Sequence, residues 1–578
     1  MKLIDAIKNG YKKRLEYMIE HELLEEPELA ATGSGGVMHF FFGKSETKER
    51  AEKVIQRTAK WFDQCPYISE SGVRRSPQGE CDFAANRLIR VLYEGADRIS
   101  EDTAELIKKF FLENNFESHY KSENHMIIFH VCRYLASLIY KNDCFRAYGK
   151  TGAELLPEDK EYIKNYLCYR GKHSWGEFNS VGYQAEDYGA LLTLYDYAPD
   201  EELKTLARMG LEQILLEMIA NAKEGMYCGA HGRIYTGAAL DYECGALFSF
   251  YGLYFDSPYY YEASLSFSNV ASDIAFSKFV PGDYVFAAAI EKPACYENYE
   301  AKQLHAITTK PQVGPMEELP HEKGHISKYT YITEQYVMGG VCMQDEYENP
   351  LAAWYAHHQQ HEWELTFPHS TEAKIFTHHP GSFGTEGAEH GYWTGDLGCC
   401  CGTFFTNKNK ALAMYDIPEN KEQEINANVL FELYNTFEDG NYIFLEYEKN
   451  TYASLYFSEG YYHKKGDYEE RELRSRGAKH AVMCVVGTKK EYGSFEGFIS
   501  EIKKKTIYFD KENMTLSYDN IKINKTERFI NGEKVKFPYP MYKNPFMYSE
   551  LGSGIITLKT SFGKTVFDFN KTEIRQEG

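Results

Sequence analysis

Near residue 255 the sequence changes the spacing of its apolar side chains, and few folds accommodate that change. Before it, apolar residues recur at three- and four-residue steps, the period of an amphipathic helix. The spacing predicts helices over roughly 2–24, 46–63, 82–97, 102–114, 123–141, 158–169, 184–197, 200–222 and 237–252. Beyond it, short segments such as Y-V-F-A-A-A-I, W-E-L-T-F, Y-I-F-L-E-Y-E and M-T-L-S-Y follow one another between Gly, Asn, Asp and Pro clusters. Short strands at such intervals stack as antiparallel sheets. The expected architecture is an α+β chain with a helical unit at 1–255 and an antiparallel β-sandwich region at 256–578, divisible into two sub-domains.

Two stretches carry no helical or strand pattern of their own. The glycine-rich segment 25–45 lacks the Gly-Lys-Ser/Thr ending of a phosphate loop, and reads as a surface loop, or alternatively as a flap over a cleft. The Lys/Glu-rich runs at 464–474 and 502–505 read as solvated edges and turns.

Composition narrows the partners. A formal charge of -21 over 578 residues disfavours nucleic acid and anionic membranes, and requires a locally basic pocket for any acidic ligand. No run approaches the length of a membrane span, and the N-terminal stretch reads as neither signal nor transit peptide. With 13 scattered cysteines, that predicts reduced thiols and a cytoplasmic location, with oligomerisation open. The 47 tyrosines and 36 phenylalanines suit either large cores or sugar-binding grooves.

Three polar, aromatic stretches stand at helix boundaries. Residues 174–188, S-W-G-E-F-N-S-V-G-Y-Q-A-E-D-Y, bring Trp175, Glu177, Asn179, Ser180 and Tyr183 ahead of an apolar helix, with Tyr188 inside it. In S-E-N-H-M-I-I-F-H (122–130), Ser122 is a helix cap that places Glu123, Asn124 and His125 in a first turn, where free N–H groups favour a carboxylate. In G-A-H-G-R-I-Y-T-G (229–237), His231, Arg233 and Tyr235 stand among glycines, an arrangement suited to an anionic group. Each stretch alone also reads as a plain helix start or turn.

Asn124-His125 opening an apolar helix, followed after a further helix by G-E-F-N-S-V-G-Y, resembles the heparinase II/III-type and alginate-lyase-type polysaccharide lyases. The resemblance implies an incomplete α/α toroid followed by antiparallel β-sheet domains, and an acidic carbohydrate substrate cleaved by β-elimination. It places Asn124 and His125 against the uronate carboxylate and makes Tyr183 the base and acid, with Glu177 and Ser180 beside it. His231 and Arg233 would stabilise the developing dianion, and one of them would lower the Tyr183 pKa from about 10. Trp175, Tyr235 and His361 complete the expected substrate contacts. Where that family carries a His-x-His-x-Asp-like strand, this chain has A-H-H-Q-Q-H-E-W-E-L-T-F (356–367). It offers His357, His358 and His361 without the aspartate, with Glu362 and Glu364 the nearest acids, and His378 and His379 follow at 377–380. A structural zinc or calcium stays open on these residues.

Two other classes fit the same residues. A glycoside hydrolase on an α/α barrel would pair Glu177 with Asp187 or Glu123, or hold zinc at Cys399, Cys400 and Cys401. A non-catalytic carbohydrate-binding protein is the third.

Overall fold

The structure, a computed structural model, describes residues 2–28, 33–60, 67–68, 74–75, 81–114, 123–261, 270–303, 325–344, 360–379, 392–394 and 401–577. The first part is helical: α1 (Lys2–Glu22), α2 (Ser34–Phe42), α3 (Ser45–Ala59), α4 (Cys81–Gly95), α5 (Glu101–Glu113) and α6 (Glu123–Ile139). After these come α7 (Gly152–His173), α8 (Tyr183–Tyr197), α9 (Glu201–Asn221), α10 (Thr236–Leu240), α11 (Ala246–Phe255), α12 (Ala271–Phe276) and α13 (Asp283–Glu291). Among the described residues no helix is long and apolar enough to cross a membrane.

Side-chain caps set several starts. Ser100 Oγ accepts the Thr103 N–H at α5, and Asp200 accepts from Glu202 and Leu203 at α9. Thr151 and Glu154 form a reciprocal capping box on α7. That box starts α7 well before the apolar pattern expected at 158. The single helix expected over 237–252 is broken at Asp241–Gly245, where the Asp241 carboxylate accepts the Glu243 N–H.

Three expectations are corrected. Residues 34–42 of the glycine-rich segment form a largely buried helix rather than a surface loop, while 29–32 lie outside the described residues. A Cβ at Gly36 would stand 2.8 Å from Val54 Cγ1, so the glycine permits α2 to lie close on α3. The run Y-V-F-A-A-A-I is helical, within α13, because a short apolar run packed on one side satisfies either period and alanine favours the helix. Helical structure therefore continues past 255 to Glu291. In the run 464–474, Glu472 and Arg474 are buried in a strand as ion-paired partners: Arg474 Nε lies 2.6 Å from Glu472, and its Nη1 3.0 Å from Glu424.

The expected sheets follow, and all are antiparallel. Among the described residues, the central part of a thirteen-stranded sheet runs β1 (Tyr296–Gln303), β2 (His325–Ile332), β3 (Val337–Gln344), β4 (Trp363–Thr366) and β5 (Lys374–His378) in spatial order. Beyond β5 it is extended by 424–428, 472–476 and 462–463, and beyond β1 by the strands of 542–577. A six-stranded sheet, in the order 402–407, 410–416, 479–488, 451–457, 442–447 and 434–439, packs on one face of it. Ile443 and Leu445 point into the core shared with Trp363, Leu365 and Ile375. Phe444, between them, points the other way, towards Phe498 and a five-stranded sheet at 507–534. This alternation is the period of two made physical. The helical core is continuous with Tyr542, Phe546, Ile556 and Phe567 at the opposite end of the large sheet.

His378, at the end of β5, is fully buried beside the Phe376 and Trp393 rings. Burial pushes its pKa down from 6.5 to about 3. The folded state thus binds its proton less readily than the unfolded state. Stability from this group is complete above pH 6.5 and is lost as pH falls towards 3, at about 1.4 kcal/mol per unit of separation. The urea midpoint should decline through this window, and less steeply in His378→Gln; identical slopes would refute the assignment.

Candidate active site

The turn 174–183 is held from beneath by residues of α6, α7 and α9. The Glu123 carboxylate, first in α6, accepts the backbone N–H groups of Gly176 and Glu177, each at 2.9 Å, and pairs with the Arg170 guanidinium. Tyr166 OH donates to the Glu123 carbonyl at 2.8 Å. Ser174 Oγ donates to Glu217 at 2.7 Å. Ser174 and Asn179 have φ of 60° and 50°, unfavourable for residues with a Cβ, so the turn depends on these anchors.

The loop 229–235 lies against this turn. Gly232 N–H donates to the Phe178 carbonyl at 2.6 Å, Ser180 Oγ to the Arg233 carbonyl at 2.9 Å, and His231 Nδ1 lies 2.8 Å from the Asn179 carbonyl. Arg233 thereby reaches two groups at once. Its Nη1 donates to Glu177 at 2.9 Å and its Nη2 to Tyr183 OH at 3.0 Å, with the guanidinium 3.7 Å over the Tyr183 ring. Tyr183 opens α8, its N–H directed to Ser180 Oγ, and its hydroxyl is hydrogen-bonded to Tyr235 OH. A Tyr183 phenolate would have two donors waiting, one of them cationic.

The resting Tyr183 is nonetheless an ordinary phenol. Burial raises its pKa well above 10, Arg233 pulls it down, and Tyr235 and Glu177 add to the rise. The expectation of a lowered value is thus only half met: the lowering cation is present and is outweighed. Burial likewise lifts Glu177, against the pull of Arg233.

The other expected site residues are placed as follows. Asn124 and His125 lie in the first turn of α6, both buried; Ser122 lies outside the described residues. His125 Nδ1 is 2.5 Å from Asp82 of α4, and its ring stacks on Phe83. Glu123, Glu177 and Arg233 connect the α6 start to Tyr183 without a break. Trp175, expected as a sugar contact, is fully buried in the helical core beside Tyr166 and supports the turn from inside. Tyr188 is equally buried, packed on Phe250. Asp82 and Arg170, which orient His125 and Glu123, carry no sequence signal beyond their helical setting.

His361 is buried on the β side of this loop. Its backbone N–H and C=O pair with those of His231, both at 2.9 Å. With Glu364 the two histidines bring ligand atoms within 4.8 Å of one another, and among the described residues no other such group forms. His357, His358, Cys399 and Cys400 lie outside the described residues. His231 Nε2 and both His361 ring nitrogens have no hydrogen-bond partner, and burial pushes His231 down to about 4 and His361 lower still. Two neutral imidazoles suit zinc. The carboxylate is less free: Oε1 is engaged, and Oε2, with no hydrogen-bond partner and 3.5 Å from His361 Nδ1, lies beside the Lys374 ammonium. Glu364 Oε1 accepts from Tyr242, from Thr366 at 2.8 Å and from Gly229 N at 3.3 Å, and Oε2 lies 3.1 Å from Lys374 Nζ. Lys374 is the cation of this cluster, and the residues as they stand do not fit a metal.

No family model matches the sequence, and no curated protein does. Solved structures similar to the chain include heparinase III, at 11% identity and a TM-score of 0.40, over 89% of this chain and 82% of that one. Streptomyces coelicolor A3 chondroitin AC lyase, in complex with chondroitin sulphate, is similar at 9% identity and 0.43, over 98% and 92%. Paenibacillus xanthan lyase is similar at 8% identity and 0.34, over 99% and 64%. These likenesses assign no role to any residue.

Glu177 and Arg233 form a largely buried pair, so removing either strands the other. Glu177→Ala and Arg233→Ala should each cost about 3–5 kcal/mol, and the double variant clearly less than their sum. Chemical denaturation of all four proteins measures the coupling; additive losses would show the pair to be incidental.

Proposed function

We propose that the chain is a carbon–oxygen lyase that cleaves uronate-containing carbohydrate by β-elimination, with Tyr183 as the proton-transfer residue. The observation that supports this is the Arg233 fork, which joins the Glu177 carboxylate to the Tyr183 hydroxyl while Tyr235 donates or accepts from the other side. Elimination removes the proton α to a carboxylate. The barrier falls only if the carboxylate is bound by donors that strengthen as it becomes a dianion, and if a base stands ready. In this reading the Asn124 amide and the N–H groups at the start of α6 bind the carboxylate, and Tyr183 takes the proton as a phenolate held by Arg233 and Tyr235. The same oxygen, once protonated, delivers a proton to the departing glycosidic oxygen.

The hydrolase reading is weaker on one specific point. Glu123 accepts two backbone N–H groups and a guanidinium, which leaves it no freedom to donate a proton to a leaving group.

Incubation with a panel of uronate-containing glycans, followed by ultraviolet absorbance of the unsaturated product, tests the reading; hydrolysis yields no such product. Tyr183→Phe should retain the fold and lose about 10²–10⁴-fold in rate, while Tyr188→Phe should act mainly on stability. Because the resting phenol is raised, wild-type kcat/KM should climb with pH across the neutral range. Near-normal turnover by Tyr183→Phe would end the proposal.

A further inference from the structure

Asp187 feels the charges of three other carboxylates, Glu123, Glu177 and Glu186. Two guanidiniums face Glu123 and Glu177; Arg170 also acts on Asp187, and its Nε and Nη2 have no hydrogen-bond partner. Arg170 is on Glu123, which also has two backbone donors, and Arg233 is on Glu177. Asp187, in the first turns of α8, is buried and neither of its oxygens has a hydrogen-bond partner. Gln184, one turn back on the same face, is fully buried with its own amide atoms unpartnered, and supplies Asp187 with no donor.

Among the described residues the neighbouring elements add no spare cation. Tyr166 of α7 faces Asp187 with Arg170. Glu186 is paired with Arg87 of α4, which also holds Asp273 of α12. On α9 Glu212 is paired with Arg208, and α11 presents Tyr254. A buried carboxylate with no hydrogen-bond donor, sharing its facing cation with Glu123, is too costly to keep ionised.

We propose that Asp187 holds a proton in the resting protein and acts as a positioning residue, leaving Arg170 wholly to Glu123 and so keeping the turn that carries Glu177 in place. Ionisation of Asp187 would draw Arg170 from Glu123, the one carboxylate that anchors the Gly176 and Glu177 amides. Burial, then Glu123 and Glu177, all push the Asp187 carboxyl well above its usual range, in keeping with the charge count. The positioning role rests on the lyase reading; the protonation state does not.

Asp187→Asn mimics the neutral acid and is the test variant, in the full chain. With isotopically labelled aspartate carboxyls, wild type should show the infrared carbonyl band of an un-ionised acid at neutral pH, absent from Asp187→Asn. A group whose folded pKa is raised stabilises below its ordinary value of 3.8 and ceases to do so as pH rises. The melting temperature of Asp187→Asn should therefore gain on wild type steadily from acid to alkaline pH. No acid band, or a constant gap, overturns the protonation state. If the variant does not fold, the labelled wild-type band and its pH titration decide alone. For positioning, wild-type turnover on a uronate glycan should fall at alkaline pH and this fall should be absent in Asp187→Asn. The same fall in both overturns that role, whereas absence of any elimination by wild type overturns the lyase reading and leaves the infrared result standing.

Discussion

Glu217 is the contact on which the two halves of the molecule depend. It is completely buried in α9, and its carboxylate takes Ser174 Oγ at 2.7 Å, Lys302 Nζ of β1 at 2.6 Å and the Tyr542 hydroxyl. One side chain thus ties the start of the active-site turn, the first long strand and a strand near the C-terminus. Around it Glu300 pairs with Lys328 and lies 3.7 Å from Lys302, while Asn221 and Asn298 donate to Glu300 at 3.0 Å. Two buried acids and two buried lysines sum to zero, and their desolvation is offset only with every partner in place. The helical and β parts cannot slide past one another without stranding a charge.

The same logic recurs at the site. Glu123 carries the turn, Arg233 carries Tyr183, and Lys374 carries Glu364. Each is a charged group whose partner is fixed by a different element. In a low-dielectric setting such pairs are strong when complete and ruinous when broken, which makes the geometry around Tyr183 reproducible.

Much of this was legible from the sequence, for identifiable reasons. The change of period is real because residues such as Ile443, Phe444 and Leu445 serve two different cores in alternation. The turn at 174–183 and the loop at 229–235 stand out because polar and aromatic residues cluster at helix boundaries. Arg170, Glu217 and Lys374 did not stand out, since they are charged residues within regular elements and only the fold reveals that they are buried. Y-V-F-A-A-A-I was misread because periodicity in a short apolar run is degenerate, and Glu472 and Arg474 because charge was equated with exposure. Trp175 was assigned to the substrate by its company, although a tryptophan in a turn is as useful beneath it.

The β half belongs to the site as much as the helical half does. Arg233 has φ of 64°, a conformation that disfavours a side chain. It is held there from three sides: by the His231–His361 backbone pair, by Gly232 on Phe178, and by Ser180 on its own carbonyl. Beneath lies a small apolar cluster of Phe178, Ala230, Ile326 and Val341, drawn from the turn, the loop, β2 and β3. Gly229 and Gly339 bring the loop backbone onto β3 so closely that a Cβ on Gly339 would stand 2.7 Å from the Gly229 Cα. Backbone strain of about 1–3 kcal/mol persists only where the surroundings over-determine it. Here half of the surroundings are β-sheet. Without the His231–His361 pair the Arg233 backbone would be free to relax, and its guanidinium would no longer be held across Glu177 and Tyr183. The sheet is therefore part of what aims the Arg233 guanidinium at Tyr183.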